Sequence, residues 1–308
     1  MQVTIAPAST KTGKAVIQSL RLCDRDISIK ALYRDLKRIP DEFNSWENFS
    51  AVQGDVGNAA ALDFSGSHAV LAIIPPVFDG RDIAEHARLV STNILDAVER
   101  AGSVQRLVLL SSMGAEFAEG VGELKTNHVS EQVLMSANVP EVLFARCAYF
   151  MENWTMAAET LRAPEPFFFS TITPLDFKVA MIAIKDVGQT LATELIREST
   201  PPVKPYIFEL HGPQPYSPLD VQQAFSQALD KYVEVRAVEK RDLPGFFGQV
   251  FPPQIVNEWV EMAASFLPGG IAERDASMPS EVDVVNGKTT LKDAIRAAAT
   301  WLNGTNPE

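Results

Sequence analysis

Cysteine is scarce in this 308-residue chain: Cys23 and Cys147 are the only two. They make neither a disulfide framework nor a metal-ligand spacing, and they read as small buried hydrophobes of a reducing compartment. Long apolar runs are absent, which excludes a membrane-spanning helix, and the N-terminus shows no basic stretch followed by an apolar one. The chain therefore reads as cytoplasmic, with no membrane partner. Positive charge is also short. Lys and Arg total 27 against 39 Asp and Glu, a formal net charge of -12, so the basic footprint of a nucleic-acid binder is missing. No internal repeat or low-complexity tract occurs.

What is present is an alternation of strand and helix patterns in a chain that is 46% hydrophobic, enough for a full core. Val3-Ile5, Ile27-Tyr33, Phe49-Gln53, Ala69-Ile74, Arg106-Leu110 and Val142-Ala145 read as strands. Helices are expected over Lys14-Leu22, Asp82-Ala101 and Asn127-Ala137. Apolar strands alternating with helices call for an α/β fold with a doubly wound parallel sheet of the Rossmann type. The core is expected over residues 1–152 and is completed by a strand near 205–211. Residues 153–308 would form a smaller, mostly helical C-terminal lobe, interleaved with the core and capping the strand ends. Within it the Phe167-Phe168-Phe169 run suggests a short hairpin, Asp186-Arg197 and Asp220-Leu229 helices, Val233-Val238 a strand, and the remainder up to Leu302 helices. Amphipathic patterning fits a monomer or a homodimer equally.

In such a sheet ligands gather beyond the carboxyl ends of the strands. The first of these ends is glycine-poor. After Val3-Thr4-Ile5, a dinucleotide loop would carry Gly-x-x-Gly-x-x-Gly, but Pro7 and Thr10 stand at the first two glycine places and only Gly13 remains. Pro7 has no amide hydrogen and Thr10 disfavours positive φ. Lys11 and Thr12 can still offer amides and side chains to a phosphate on the helix N-terminus, while Ser9 or Thr10 could equally cap that helix with no ligand.

Several segments in order, Lys11-Thr12-Gly13, Ala31-Leu32-Tyr33-Arg34-Asp35, Gln53-Gly54-Asp55, Leu109-Leu110-Ser111-Ser112, Arg146 to Asn153 and Leu210-His211-Gly212-Pro213, carry a resemblance. The chain resembles the NmrA-like branch of the atypical short-chain dehydrogenase/reductases, whose nearest-looking members are quinone and iminium reductases. The resemblance implies a core that binds NADP(H) and a lobe that holds a hydrophobic small-molecule substrate; no His/Cys/carboxylate cluster has metal-ligand spacing, so no metal is expected. Arg34 matches the position that meets the adenosine 2′-phosphate, in place of the acidic residue that selects NAD. Thr10, Lys11, Thr12, Gly13, Asp55 and Ile74 complete the cofactor-binding set.

The chain departs from the usual catalysis. Aligned on Glu131, the Tyr/Lys acid pair falls on Glu123 and Asn127, which cannot act as a Tyr whose pKa is lowered by a neighbouring ammonium. Replacement candidates are His128 near the start of its helix, Tyr149 just past a strand end, and Ser112, which lacks a nucleophile elbow. Met113, Asn153, Trp154 and Phe168 are expected to contact substrate, although Trp154 and Phe168 also suit a packed core. Glu123 and Lys125 read as a solvated charge pair, and His211 as a turn residue. Three functions follow from these residues. The first is an NADPH-dependent reductase in a biosynthetic tailoring step without the Tyr/Lys pair. The second is a cofactor-independent isomerase, cyclase or lyase on a degenerate dehydrogenase fold. The third is a non-catalytic regulator.

Overall fold

A computed structural model describes residues 1–274 and 280–302. The chain opens with β1 (Gln2–Ala6), α1 (Lys11–Arg21), β2 (Ser28–Tyr33), β3 (Phe49–Gln53), β4 (Ala69–Ile73), α2 (Ile83–Ala101), β5 (Arg106–Ser112), α3 (Lys125–Leu134) and β6 (Glu141–Cys147). Every sheet contact among these strands is parallel, with Val3 opposite Ile29 and Ala69, and Ala69 opposite Arg106. The apolar runs explain the arrangement. β4 is buried at every position, as a strand covered by helices on both faces must be.

The two faces have separate cores. On one, Val16, Ile17 and Leu20 of α1 pack on Ile5, Ile29 and Leu71. On the other, Val90, Ile94 and Val98 of α2 pack on Val70, Leu107 and Phe144. Asp82 caps α2 by accepting the Glu85 amide, and Gly102 ends it with φ +65, the left-handed turn that favours glycine.

The later half supplies β7 (Tyr149–Phe150), α4 (Ala158–Leu161), β8 (Phe167–Ser170), β9 (Met181–Ile182), α5 (Ile184–Ile196), β10 (Tyr206–His211), α6 (Pro218–Leu229), β11 (Glu234–Ala237), α7 (Leu243–Phe247), α8 (Pro253–Ser265), β12 (Asp283–Asn286) and α9 (Leu291–Leu302). The sheet has eight strands in the order β12-β10-β6-β5-β4-β1-β2-β3, so β10 and β12 extend it from the C-terminal half. α5 packs on α1 through Gly188, where a Cβ would press on the Ala15 backbone. The lobe has its own core of Met151, Trp154, Phe168, Phe225 and Ile295.

Two expectations are corrected. Phe167–Ser170 forms no hairpin; it pairs in parallel with Glu234–Ala237, because Phe168 is drawn into the lobe core between Trp154 and Phe225. Asp283–Asn286 is a strand and not a helix, since its backbone completes the edge that β10 leaves open. No helix among the described residues is long and apolar enough to cross a membrane.

Candidate functional site

The turn between β1 and α1 is tight. The Ala6–Pro7 bond is cis, and the Ala8 amide donates to the Leu32 carbonyl at 2.8 Å. Thr10 is the N-cap: its Oγ1 accepts the Gly13 amide at 2.9 Å. Gly13 lies so close beneath the turn that a Cβ would stand 2.9 Å from the Ala8 carbonyl oxygen. The amides of Ser9, Thr10, Lys11 and Thr12 have no hydrogen-bond acceptor among the described residues, so the helix N-terminus stays open to an anion. Thr12 is buried and Lys11 exposed.

At the end of β2, Arg34 is exposed. It does not pair with Asp35, whose carboxylate instead caps the next turn by accepting the Lys37 amide at 3.0 Å. Beyond β3, Asp55 is half-buried and accepts the Gly57 amide at 2.9 Å. Tyr33, at the tip of β2, is fully buried, its hydroxyl has no partner among the described residues, and burial pushes its pKa up to about 12.

Beyond β4 the chain runs Ile74-Pro75-Pro76-Val77, an apolar rim. Facing it are His86 and Ala87 of α2 and Glu123 and Thr126 around the start of α3, which together line a small cavity of about 10 Å³. The solvated Glu123–Lys125 pair is not formed. Lys125 Nζ turns to Glu258 of α8 at 2.6 Å, and among the described residues the carboxyl of Glu123 meets only the Thr126 hydroxyl, at 3.4 Å. Burial and the neighbouring Glu258 carboxylate raise the Glu123 pKa. His86 Nδ1 is buried without a partner among the described residues, and burial with Arg81 nearby lowers its pKa. Above this rim Phe78 stacks against Phe251 and Trp259, closing the lobe onto the strand ends.

Beyond β5 and β6 an ionic chain, buried at Glu131, Arg146 and Glu209 and open to solvent at Arg274, runs along the edge. Glu131 accepts the Ser111 hydroxyl at 2.6 Å and Arg146 Nη2 at 2.7 Å. Arg146 reaches Glu116, which also meets Arg274; Arg274 meets Glu209, and Glu209 meets His211. His211 is therefore an end member of this chain and more than a turn residue. Ser112 donates to the Met113 carbonyl at 3.0 Å, and Met113 is buried. His128 Nδ1 lies 2.9 Å from the Ala115 carbonyl oxygen, which ties the ring to the loop after β5.

Tyr149 and Trp154 pack together with centroids 5.7 Å apart. Burial pushes the Tyr149 hydroxyl up to about 12, with the Asn153 side chain acting on it in the opposite direction. Phe168 is fully buried, so as placed it presents no surface to a ligand. Beside Lys11 a larger cavity of about 350 Å³ opens between Glu152, Thr155, Ala183 and Lys185 and, from the α9 side, Thr289, Asp293 and Ala294. Its size lies within the about 300–1,000 Å³ range of small-molecule sites. Glu152 accepts the Ile184 amide at 3.0 Å and feels the Lys11 charge, though burial dominates and raises its pKa.

The structure thus gathers Thr10, Lys11, Thr12 and Gly13 in one turn, with Arg34 and Asp55 on the neighbouring strand ends. It sets His128 against a carbonyl, and Tyr149, Trp154 and Phe168 in the lobe core. Glu152, Lys185, His86 and the pocket-facing side of Glu123 escaped the sequence reading. The alignment that put Glu123 at the Tyr position was the available signal for the last. No group of metal-ligating residues occurs among the described residues.

Residues 8–143 match a family model described as NAD(P)H-binding. No curated protein matches the chain significantly. Among solved structures, triphenylmethane reductase of Citrobacter sp. complexed with NADP(H) is similar at a TM-score of 0.71 and 19% identity, covering 97% of this chain and 100% of that one. The NADPH-dependent quinone oxidoreductase of Escherichia coli, complexed with NADPH, has a TM-score of 0.70 and 18% identity, covering 96% and 99%. NmrA, a negative transcriptional regulator, has a TM-score of 0.65 and 17% identity, covering 100% and 92%. The resemblance to NmrA-like atypical short-chain dehydrogenase/reductases is supported accordingly: residues 8–143 match the NAD(P)H-binding model, and the whole chain has the fold of NmrA and of these two nicotinamide-binding enzymes.

Proposed function

We propose that this protein is an NADPH-dependent reductase of a hydrophobic small molecule, acting in a biosynthetic tailoring step without the Tyr/Lys pair. The observation that carries the reading is Arg34: an exposed guanidinium at the tip of β2, left unpaired by its neighbour Asp35, on the same edge as the open amides of Ser9 to Thr12. These groups fit NADP(H). The amides and Lys11 suit the pyrophosphate and Arg34 the 2′-phosphate, since a guanidinium matches phosphate geometry. Bound NADPH would supply a hydride. The chain's own part is orientation and exclusion of water, by the Ile74–Val77 rim beneath the Phe78, Phe251 and Trp259 rings.

Titration with NADPH and NADH tests this. Arg34→Glu is expected to weaken NADPH at least tenfold more than NADH, as loss of a charge-assisted contact of about 1.5–3 kcal/mol requires. Equal loss for both would remove Arg34 from the 2′-phosphate. One observation favours the cofactor-independent isomerase, cyclase or lyase: Thr10 occupies the Gly13 amide and Pro7 offers none. A protein with no heat of binding at millimolar NADPH would support that reading and end the first.

A further inference from the structure

Glu123 stands at the carboxyl edge of the sheet, against the Ile74–Val77 rim, in the position where the resemblance puts the missing Tyr. Its surroundings do not stabilise a carboxylate. Among the described residues its side chain meets the Thr126 hydroxyl alone, at 3.4 Å, a distance at which little hydrogen bonding remains. The adjacent cation, Lys125, is committed to Glu258 at 2.6 Å. From α8, Glu258 faces it with a second oxygen that is buried and has no partner among the described residues, and Glu261 accepts the Gly122 amide at 2.9 Å. From α2, His86 lines the same cavity with an unpartnered Nδ1. From the preceding loop, Arg81 and Asp79 pair with each other at 2.5 Å. Glu123, with one long contact, and His86, whose Nδ1 has no partner among the described residues, therefore face one cavity.

We infer that Glu123 is held as a neutral carboxylic acid and donates its proton to a carbonyl or imine acceptor atom of the substrate, with His86 as the second polar contact. The inference rests on the reductase reading for its reaction and on this geometry for its protonation. The cavity of about 10 Å³ admits one water-sized group, which suits a single acceptor atom whose apolar remainder lies along the rim. When the acceptor carbon takes the hydride of the proposed reaction, the π pair moves to oxygen or nitrogen. A new O–H or N–H bond forms there with the Glu123 proton. The carboxylate left behind recovers its proton from solvent. A cationic iminium needs no such proton, so the device belongs to neutral acceptors.

A carboxyl whose folded pKa is raised contributes stability that is full below its unfolded pKa and is lost as pH rises through the folded one. Glu123→Gln keeps the shape and removes that loss. The melting temperature of the variant relative to the native protein is therefore expected to climb as pH rises above the ordinary glutamate pKa of about 4.3, and the infrared band of a carboxyl still protonated above that pH should disappear in it. A constant difference with no lost band would overturn the neutral acid. Glu258→Gln, which removes the neighbouring carboxylate and frees Lys125, is expected to shift loss of that band to lower pH; no shift would count against the surroundings described above.

For the donor role, NADPH with a neutral para-quinone is the probe. Glu123→Gln is expected to lower kcat about 100-fold or more with NADPH affinity unchanged, and equal turnover would overturn it. A protein that binds no NADPH yet loses the band would sink the reductase reading and keep the acid. A native protein that binds NADPH and reduces no quinone would sink the donor role alone.

Discussion

Arg146 shows how much a single side chain holds at the strand ends. It joins Glu131 and Glu116 and is nine-tenths buried, so its removal strands the Glu131 carboxylate with the Ser111 hydroxyl as its remaining partner. Arg146→Met is expected to cost about 3–5 kcal/mol in urea unfolding, because an uncompensated buried charge is far worse than a missing pair. Adding Glu131→Gln should restore part of that loss. Legibility at this scale was uneven. The place of Arg34 just past β2 could be read because it follows from where a strand ends. Glu131 was read as an alignment anchor, and its buried ion pair stayed hidden because Arg146 lies 15 residues away in sequence. Phe168 could not be told from a pocket-lining aromatic by composition, since burial is a property of what packs against it. Glu123 was misread as a surface charge because nothing near it in sequence discloses that α8 lies on top.

At the level of elements, α8 covers the loop before α3. Gly122, at φ +54, sits directly under it, where a Cβ would overlap the Glu258 carbonyl oxygen. Trp259 stacks on Phe251 at 4.4 Å and on Phe78 at 5.9 Å. Trp259→Ala should cost less than the about 3–5 kcal/mol of a fully buried Trp, because the residue is only partly buried. Hydrogen exchange is expected to quicken in α8 while β4 and β5 keep their protection, and uniform acceleration would contradict a separable cap. The elements with strong periodicity, such as α2 from Asp82 to Ala101, were legible to within a residue. β12 was not, because an edge strand exposes most of its side chains and carries little apolar signal. β8 was misassigned for a different reason: its partner β11 starts 67 residues later, and no local pattern announces a distant parallel neighbour.

Across the whole molecule, the fold class was legible and the route of the chain was not. The alternation of apolar strands with helices already implied a parallel sheet. Which later strands joined it depended on pairings such as Phe208 with Ala145 and Asp283. A chain ending after residue 280 would lack β12 and α9, uncovering the outer edge of β10 and the lobe contacts of Leu291 and Ile295. It is expected to lose its cooperative thermal transition, measured by calorimetry. A retained transition would show that the lobe core closes without α9. Because β10 lies beside β6, a nascent chain leaves an apolar sheet margin bare while some sixty residues after β6 are still to be made. Translation speed and chaperone supply would then govern its yield in a recombinant host more than intrinsic stability does.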